Sequence, residues 1–329
     1  VKPCAWRPLV GGTICFVILV GGHFLFRRIY YQDWLPNTYY CKVGNKSWWD
    51  MGGLYLYTFA LEYCLILWGP LVVLGMTGLM VRLRLETALV ILATILPHAT
   101  YLASIGGDHF EYRPIDVYVP LLAILLHWGC VQAVGWMNKP APVVAYSIIC
   151  LFASTGLPML TRVDFPMDYR PGFPNGTSRD DNTTQLIYEA QHPVLFTMPV
   201  VGDYLRWYNT SIGELTSHFV GLRQEEHMLF YRSVKRQASW LREAIDSGLL
   251  SKDLYVGIHC VGVIPYVTDF RTLDRLGLTD REVAHQPLPE SKKRQMAHDK
   301  LATTDYGKRR GVDLWAADFV HPVLPSGHP

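Results

Sequence analysis

Charge is what this sequence has least of. Asp, Glu, Lys and Arg make up only 18% of its 329 residues, against roughly 25% in an ordinary soluble domain. The formal net charge is +2 and no dense basic stripe occurs, so nothing points to a nucleic-acid partner. There is no C-x-x-C among the seven cysteines, and no Cys/His spacing that suits zinc. Most of the thiols lie in apolar blocks, where they act as small hydrophobes. Cys41 and Cys260 are the one pair placed to share an aqueous side, but sequence alone rarely identifies a bridge and a disulfide is not the expectation. A P-loop, a Gly-rich nucleotide fingerprint and a Ser-His-Asp spacing are all missing.

What is present is apolar, and it is unevenly spread. Half of the residues are hydrophobic. Residues 1–160 form repeated apolar blocks, whereas 161–329 carry most of the acids, bases and histidines. A bilayer core of about 30 Å needs roughly 20 apolar residues in helix. Leu9–Phe26, Gly53–Val81, Thr87–Ile105, Ile115–Met137 and Pro142–Leu160 supply five such blocks. The second is long enough to tilt or to begin in the interface. The first is a full-length span with no cleavage site, not a signal peptide. Prolines 70, 97 and 120 are tolerable in a membrane bundle, where neighbouring helices satisfy the freed backbone. The expected fold is a membrane α-helical bundle of about five transmembrane helices (1–160), followed by an extracytoplasmic α/β domain (161–329).

Basic residues orient the bundle. Lys2 and Arg7, the stretch Val81-Arg-Leu-Arg-Leu-Glu86, and Lys139 fall on one side, which the positive-inside rule makes cytoplasmic. Arg27 and Arg28 argue mildly the other way. Loops 27–52 and 106–114 and the C-terminal domain then share the opposite face, whichever way the bundle is inserted. Apart from Glu62 the spans carry almost no mid-membrane charge, which weakens a transporter reading.

Two loops on that face hold the candidate site. Tyr30-Tyr-Gln-Asp-Trp-Leu-Pro-Asn-Thr-Tyr-Tyr-Cys-Lys42 interleaves rings with Asp33, Asn37, Thr38 and Lys42. An aromatic belt accounts for the rings; a sugar or phosphate site would account for the polar groups as well. Gly106-Gly-Asp-His-Phe-Glu-Tyr-Arg-Pro114 crowds Asp108, His109, Glu111 and Arg113 beside hydrocarbon, with Asp116 just beyond. Charges so placed are a functional hypothesis by default, the alternative being a solvated loop whose Asp–Arg pair caps span four.

These loops resemble polytopic GT-C glycosyltransferases similar to the mycobacterial terminal arabinofuranosyltransferase family. Two further stretches share the likeness: Gly262-Val-Ile-Pro-Tyr with Asp274-Arg-Leu-Gly-Leu-Thr-Asp280, and, more loosely, His298-Asp-Lys-Leu-Ala with Tyr306 and Arg310-Gly-Val-Asp313. The resemblance implies sugar transfer, with arabinofuranose as the suggested sugar, from a polyprenyl-phosphate donor to a cell-envelope glycan or lipid acceptor. It places the protein in the plasma (inner) membrane. The family's acidic first-loop motif, Asp-Asp-Ala-Phe-like, does not occur here, so either the chain lacks N-terminal spans, the favoured expectation, or Asp108 carries a role of its own. On this reading Asp108 is the catalytic candidate, orienting a sugar or acceptor hydroxyl. Lys42 and Arg113 would meet the lipid phosphate, with Asn37, Asp33 and His109 completing the donor-binding rim. No cofactor is certain and a divalent metal stays open. The alternative is a non-catalytic membrane protein that binds glycan through its outer domain.

In the C-terminal half, 164–190 is rich in Pro, Gly, Asn and Asp and reads as an irregular connection. The glycosylation patterns at Asn175, Asn182 and Asn209 are common by chance and are discounted. Gln224–Leu249 has helical periodicity and Leu254–Ile264 that of a buried strand. A short helix capped by Thr279-Asp-Arg-Glu282, a helix over Asp299–Arg309 and a strand over Gly311–Trp315 follow. Asp269, Asp274, Asp280 and His259 read more readily as structural groups than as catalysts: Asp280 can cap, and Asp274 can pair with Arg271 or Arg275.

Overall fold

A computed structural model describes residues 6–44, 46–83, 85–163, 186–259, 261–288 and 295–315. Four helices are long and apolar enough to cross a bilayer. They are α1 (Trp6–Tyr30), α5 (Leu85–Ile105), α6 (Val119–Met137, led in by a 3-10 turn from Arg113) and α7 (Pro140–Val163). No described side chain of α1 is buried; apolar all round, it is a lipid-facing span.

The expected second span, Gly53–Val81, is a corner instead of a rod. α3 (Trp49–Glu62) meets α4 (Leu65–Gly78, prolonged by a π-helical turn to Leu83) at 92°. Cys64 makes the turn in the left-handed region, at φ 48°. α4 runs parallel to α6 in tight register: a Cβ on Gly75 would fall 1.9 Å from the Leu125 carbonyl oxygen, and one on Gly129 2.0 Å from that of Leu71. Lipid offers no hydrophobic drive between helices, so close backbone approach at small residues is what holds such a pair. Taken together, and only so, the two bent arms pass as a candidate fifth crossing. α3 lies across the mouth of the bundle. Its start packs on Ala103 near the end of α5, Tyr55 donates to the Glu111 carbonyl (2.6 Å), and Phe59 and Tyr63 meet the Tyr112 ring. Glu62, expected at mid-membrane, therefore sits at the corner, level with the loops.

α2 (Asn37–Val43) lies between α1 and α3. Beyond α7 come α8 (Pro193–Thr197), α9 (Val201–Ser217) and α10 (Gln224–Asp246), then β1 (Tyr255–Ile258), α11 (Val263–Thr268), β2 (Arg271–Asp274), α12 (Arg281–Ala284), α13 (Thr304–Arg309) and β3 (Leu314–Trp315). The sheet is parallel, in order β2-β1-β3. Its central strand is buried at all four residues, as a strand covered on both faces should be. Val234, Ala238 and Leu241 of α10 close its core with Val256, Ile258 and Phe270. α8 and α9 belong elsewhere: Phe196, Leu205, Tyr208 and Ile212 share one core with Met51, Tyr55, Leu61 and Leu157 of the bundle.

Several expected details change. The strand expected over Leu254–Ile264 stops at Ile258 and gives way to α11; β2 was unexpected. The helix expected from Asp299 starts at Thr304, capped by Thr303. Asp280 does cap α12, accepting from Val283 N–H, and Thr279 is not the cap. Asp274 pairs with neither Arg271 nor Arg275; its carboxylate accepts from the backbone N–H groups of Leu276, Gly277 and Thr279 and closes a turn. Asn209 lies within α9 and its amide exchanges two bonds with the Ile187 backbone, which occupies the nitrogen a glycan would need. Cys41 is a free, buried thiol that burial pushes up to about 12. Cys260, Asn175, Asn182 and most of the 164–190 connection lie outside the described residues.

Candidate functional site

The loop after α5 is built to be held from two sides. Gly106 and Gly107 turn the chain at φ 84° and 85°, a region glycine enters at no steric cost. A Cβ on Gly107 would strike the Tyr55 ring at 2.6 Å. The next residues pair with the chain just before α10. Gly221 N–H donates to the Asp108 carbonyl (2.9 Å), Leu222 N–H to that of His109 (3.0 Å), and Glu111 N–H to that of Leu222 (2.8 Å). The C-terminal half thereby fixes where Asp108 points.

Asp108 is buried, and both of its oxygens face cations. Arg113 Nη2 donates to Oδ2 at 2.7 Å, and Lys42 Nζ, arriving from α2, to Oδ1 at 3.4 Å. Arg113 stays 60% exposed at its side chain, with its guanidinium over the Phe110 ring at 4.7 Å. Three of the six expected residues are thus one cluster, cationic by one charge, at the mouth of the bundle. The Asp–Arg pair exists, but it does not cap the following helix, whose N-cap is Tyr112 without a side-chain bond.

The other three stand apart in role. Asp33 is buried under Arg281 (2.5 Å) and His285 (3.3 Å). The Arg281 hydrogen bond holds its carboxyl below the usual range, and the pair clamps the loop before α2 to α12. Asn37 opens α2, partly exposed and with no side-chain hydrogen bond among the described residues. His109 turns inward, its Nδ1 2.8 Å from the Phe219 carbonyl, among the rings of Phe219, His227 and His298. Burial, then the neighbouring His298, pushes it down to about 3. A neutral imidazole walled by rings is a poor phosphate ligand.

Behind the cluster lies a second constellation. Arg223, fully buried, is 2.5 Å from Glu62 and 2.7 Å from Glu111. It also donates to Tyr208 (3.1 Å) and Thr161 (3.2 Å), while Tyr112 and Tyr208 donate to the other Glu62 oxygen. Burial works against the charge of Arg223, but Glu62 and Glu111 hold it protonated; burial and Glu62 together push the Tyr112 and Tyr208 hydroxyls up. The network ties the α3–α4 corner, the end of α7, α9 and the start of α10 together. Glu62 stood out in the sequence as a lone acid among apolar residues; Arg223, alone in Val-Gly-Leu-Arg, gave no such signal. Among the described residues no three His, Cys, Asp or Glu side chains converge to hold a metal ion.

Residues 222–320 match a family model described as a domain of unknown function (DUF8728). The match opens one residue before Arg223 and takes in α10 and the sheet. No curated protein and no solved structure matches the chain. The molecule is a multi-pass membrane protein carrying this domain, and the domain's first turn is ion-paired to the bundle.

Proposed function

We propose that the protein is a GT-C-like glycosyltransferase that moves a sugar, arabinofuranose on the family resemblance, from a polyprenyl-phosphate donor to a cell-envelope glycan or lipid acceptor on the outer face of the plasma (inner) membrane. One observation carries the reading: Lys42 and Arg113, from different loops, converge on Asp108 where a lipid phosphate would lie. Arg113 is open to receive it, and an exposed guanidinium binds a phosphate through paired N–H donors. With both oxygens engaged, Asp108 is better suited to position the two cations than to take a proton. The catalytic carboxylate of the resembled family would then be supplied from outside these residues.

One observation favours the second reading, a glycan-binding protein without catalysis. The two carboxylates of the loop are already committed, Asp108 to Lys42 and Arg113, Glu111 to Arg223; Asp116 is exposed at the first turn beyond. The test is transfer of labelled sugar from polyprenyl-phosphate donors by membranes containing the full-length protein. Arg113→Ala is expected to lower kcat/KM about tenfold, the scale of one charge-assisted contact, chiefly through KM. Unchanged donor binding in Arg113→Ala would remove the phosphate assignment, and no transfer by the wild type from any donor would favour the binder.

A further inference from the structure

Part of the C-terminal half is not dressed for water. From α8 through the turn into α9 the chain presents Val194 (71% exposed), Met198, Val200 (79%) and Val201, with Trp207 (58%) further along α9. The turn itself is unusual. Val200 has φ 67° and ψ −47°, and Val201 N–H closes a bond to the Pro199 carbonyl at 2.7 Å. That is the rare, strained γ-turn. A β-branched side chain at positive φ is an outlier that surrounding structure must enforce, and Gly202, packed on the Phe196 carbonyl, draws the two arms together beneath it. Exposed apolar clusters rimmed by charge mark contact surfaces, and here Arg206, paired with Asp203 and Glu189, supplies the rim.

Its position names the partner. Tyr204, one turn into α9, donates to the Leu61 carbonyl, and its hydroxyl lies 3.4 Å from Cys64 Sγ. Cys64 is the corner residue at the top of α4, and Ile66, two residues on, is 78% exposed on the lipid-facing side of that span. The apolar tip therefore continues the lipid-facing surface of the bundle at the depth where a crossing begins. We infer that residues 193–201, with Trp207, form a wedge that dips into the headgroup region of the bilayer beside α4. Tryptophan at that level and valines below it follow the ordinary distribution at a membrane interface. The inference is independent of sugar transfer.

The test uses the full chain in nanodiscs, with an environment-sensitive dye placed by Val194→Cys or Val200→Cys and the wild-type labelling background subtracted. Lys252→Cys, in an exposed turn, is the reference. Val194 is the second probe because it lies in regular helix and carries no strained backbone. Both wedge probes should shift to the blue, be quenched by a lipid spin-labelled near its headgroup, and be quenched by aqueous iodide about tenfold less than the Lys252 probe. Iodide quenching equal to that at Lys252 would overturn the inference. Protection from both quenchers would overturn it too, since protein rather than lipid would then cover the tip.

Discussion

Arg223 is the residue on which most depends, because among the described residues it is the cation that neutralises Glu62 below the surface. Removing one partner of a buried pair leaves an uncompensated charge and costs about 3–5 kcal/mol. Arg223→Met should therefore lower the unfolding temperature of the full chain in nanodiscs by many degrees. Adding Glu62→Gln should return much of the loss, and the double-mutant cycle reads the coupling directly. His109 makes a different prediction. Its folded value, about 3, lies below the ordinary 6.5, so as pH falls the unfolded chain takes up the proton first. Its contribution is whole above about 6.5 and declines toward about 3, at up to about 1.4 kcal/mol per pH unit. His109→Phe should flatten the pH dependence of thermal stability between pH 7 and 5, and an unchanged slope would assign that dependence to other groups. At this scale the sequence was partly legible. Asp108 and Arg113 announced themselves because ions beside hydrocarbon are costly, and Lys42 because it is a polar group set among aromatic rings. Asp33 carried the signal of Lys42 and His109 that of Asp108, yet packing turned them to α12 and to a wall of rings. Arg223 was invisible, since its partners are distant in sequence.

Elements divide along a physical line. Hydrophobic length reports how much chain is apolar but not where it bends, so four candidate crossings were read to within about one helical turn at each end while the α3–α4 corner was not. Both arms of that corner are apolar, and Cys64 has no composition cue for a left-handed turn. α9 was missed because Gly202, Asp203 and Gly213 are poor helix formers; its stripe of Leu205, Tyr208, Ile212 and Leu215 forms a helix only against the bundle core. The parallel α4–α6 pair yields a sharp contrast. Gly75→Ala places a methyl against the Leu125 carbonyl and should cost about 1–3 kcal/mol by overpacking. Gly69→Ala, with nothing within 4 Å, should be neutral. Thermal unfolding of the two variants side by side checks the register, and equal effects would show that the helices do not meet there.

The whole molecule is two regions joined by ions as well as by apolar contact. The family match at 222–320 cuts this joint, so a fragment of that extent would hold Arg223 without Glu62 or Glu111. Arg223→Met should accordingly be nearly neutral in the isolated fragment, if it folds, and severe in the full chain; circular dichroism melts of both distinguish a joint from a local role. The corner in α3–α4 also bears on biogenesis. Glu62 leaves the ribosome long before Arg223 is made, so its carboxylate must wait for its partner. In the middle of a straight span it would wait in hydrocarbon, and insertion of that segment would be opposed. At the end of α3, where the chain turns by 92°, it is not bound to the middle of a straight span, and the bundle can be inserted first and closed later, when the C-terminal half arrives to complete the pair.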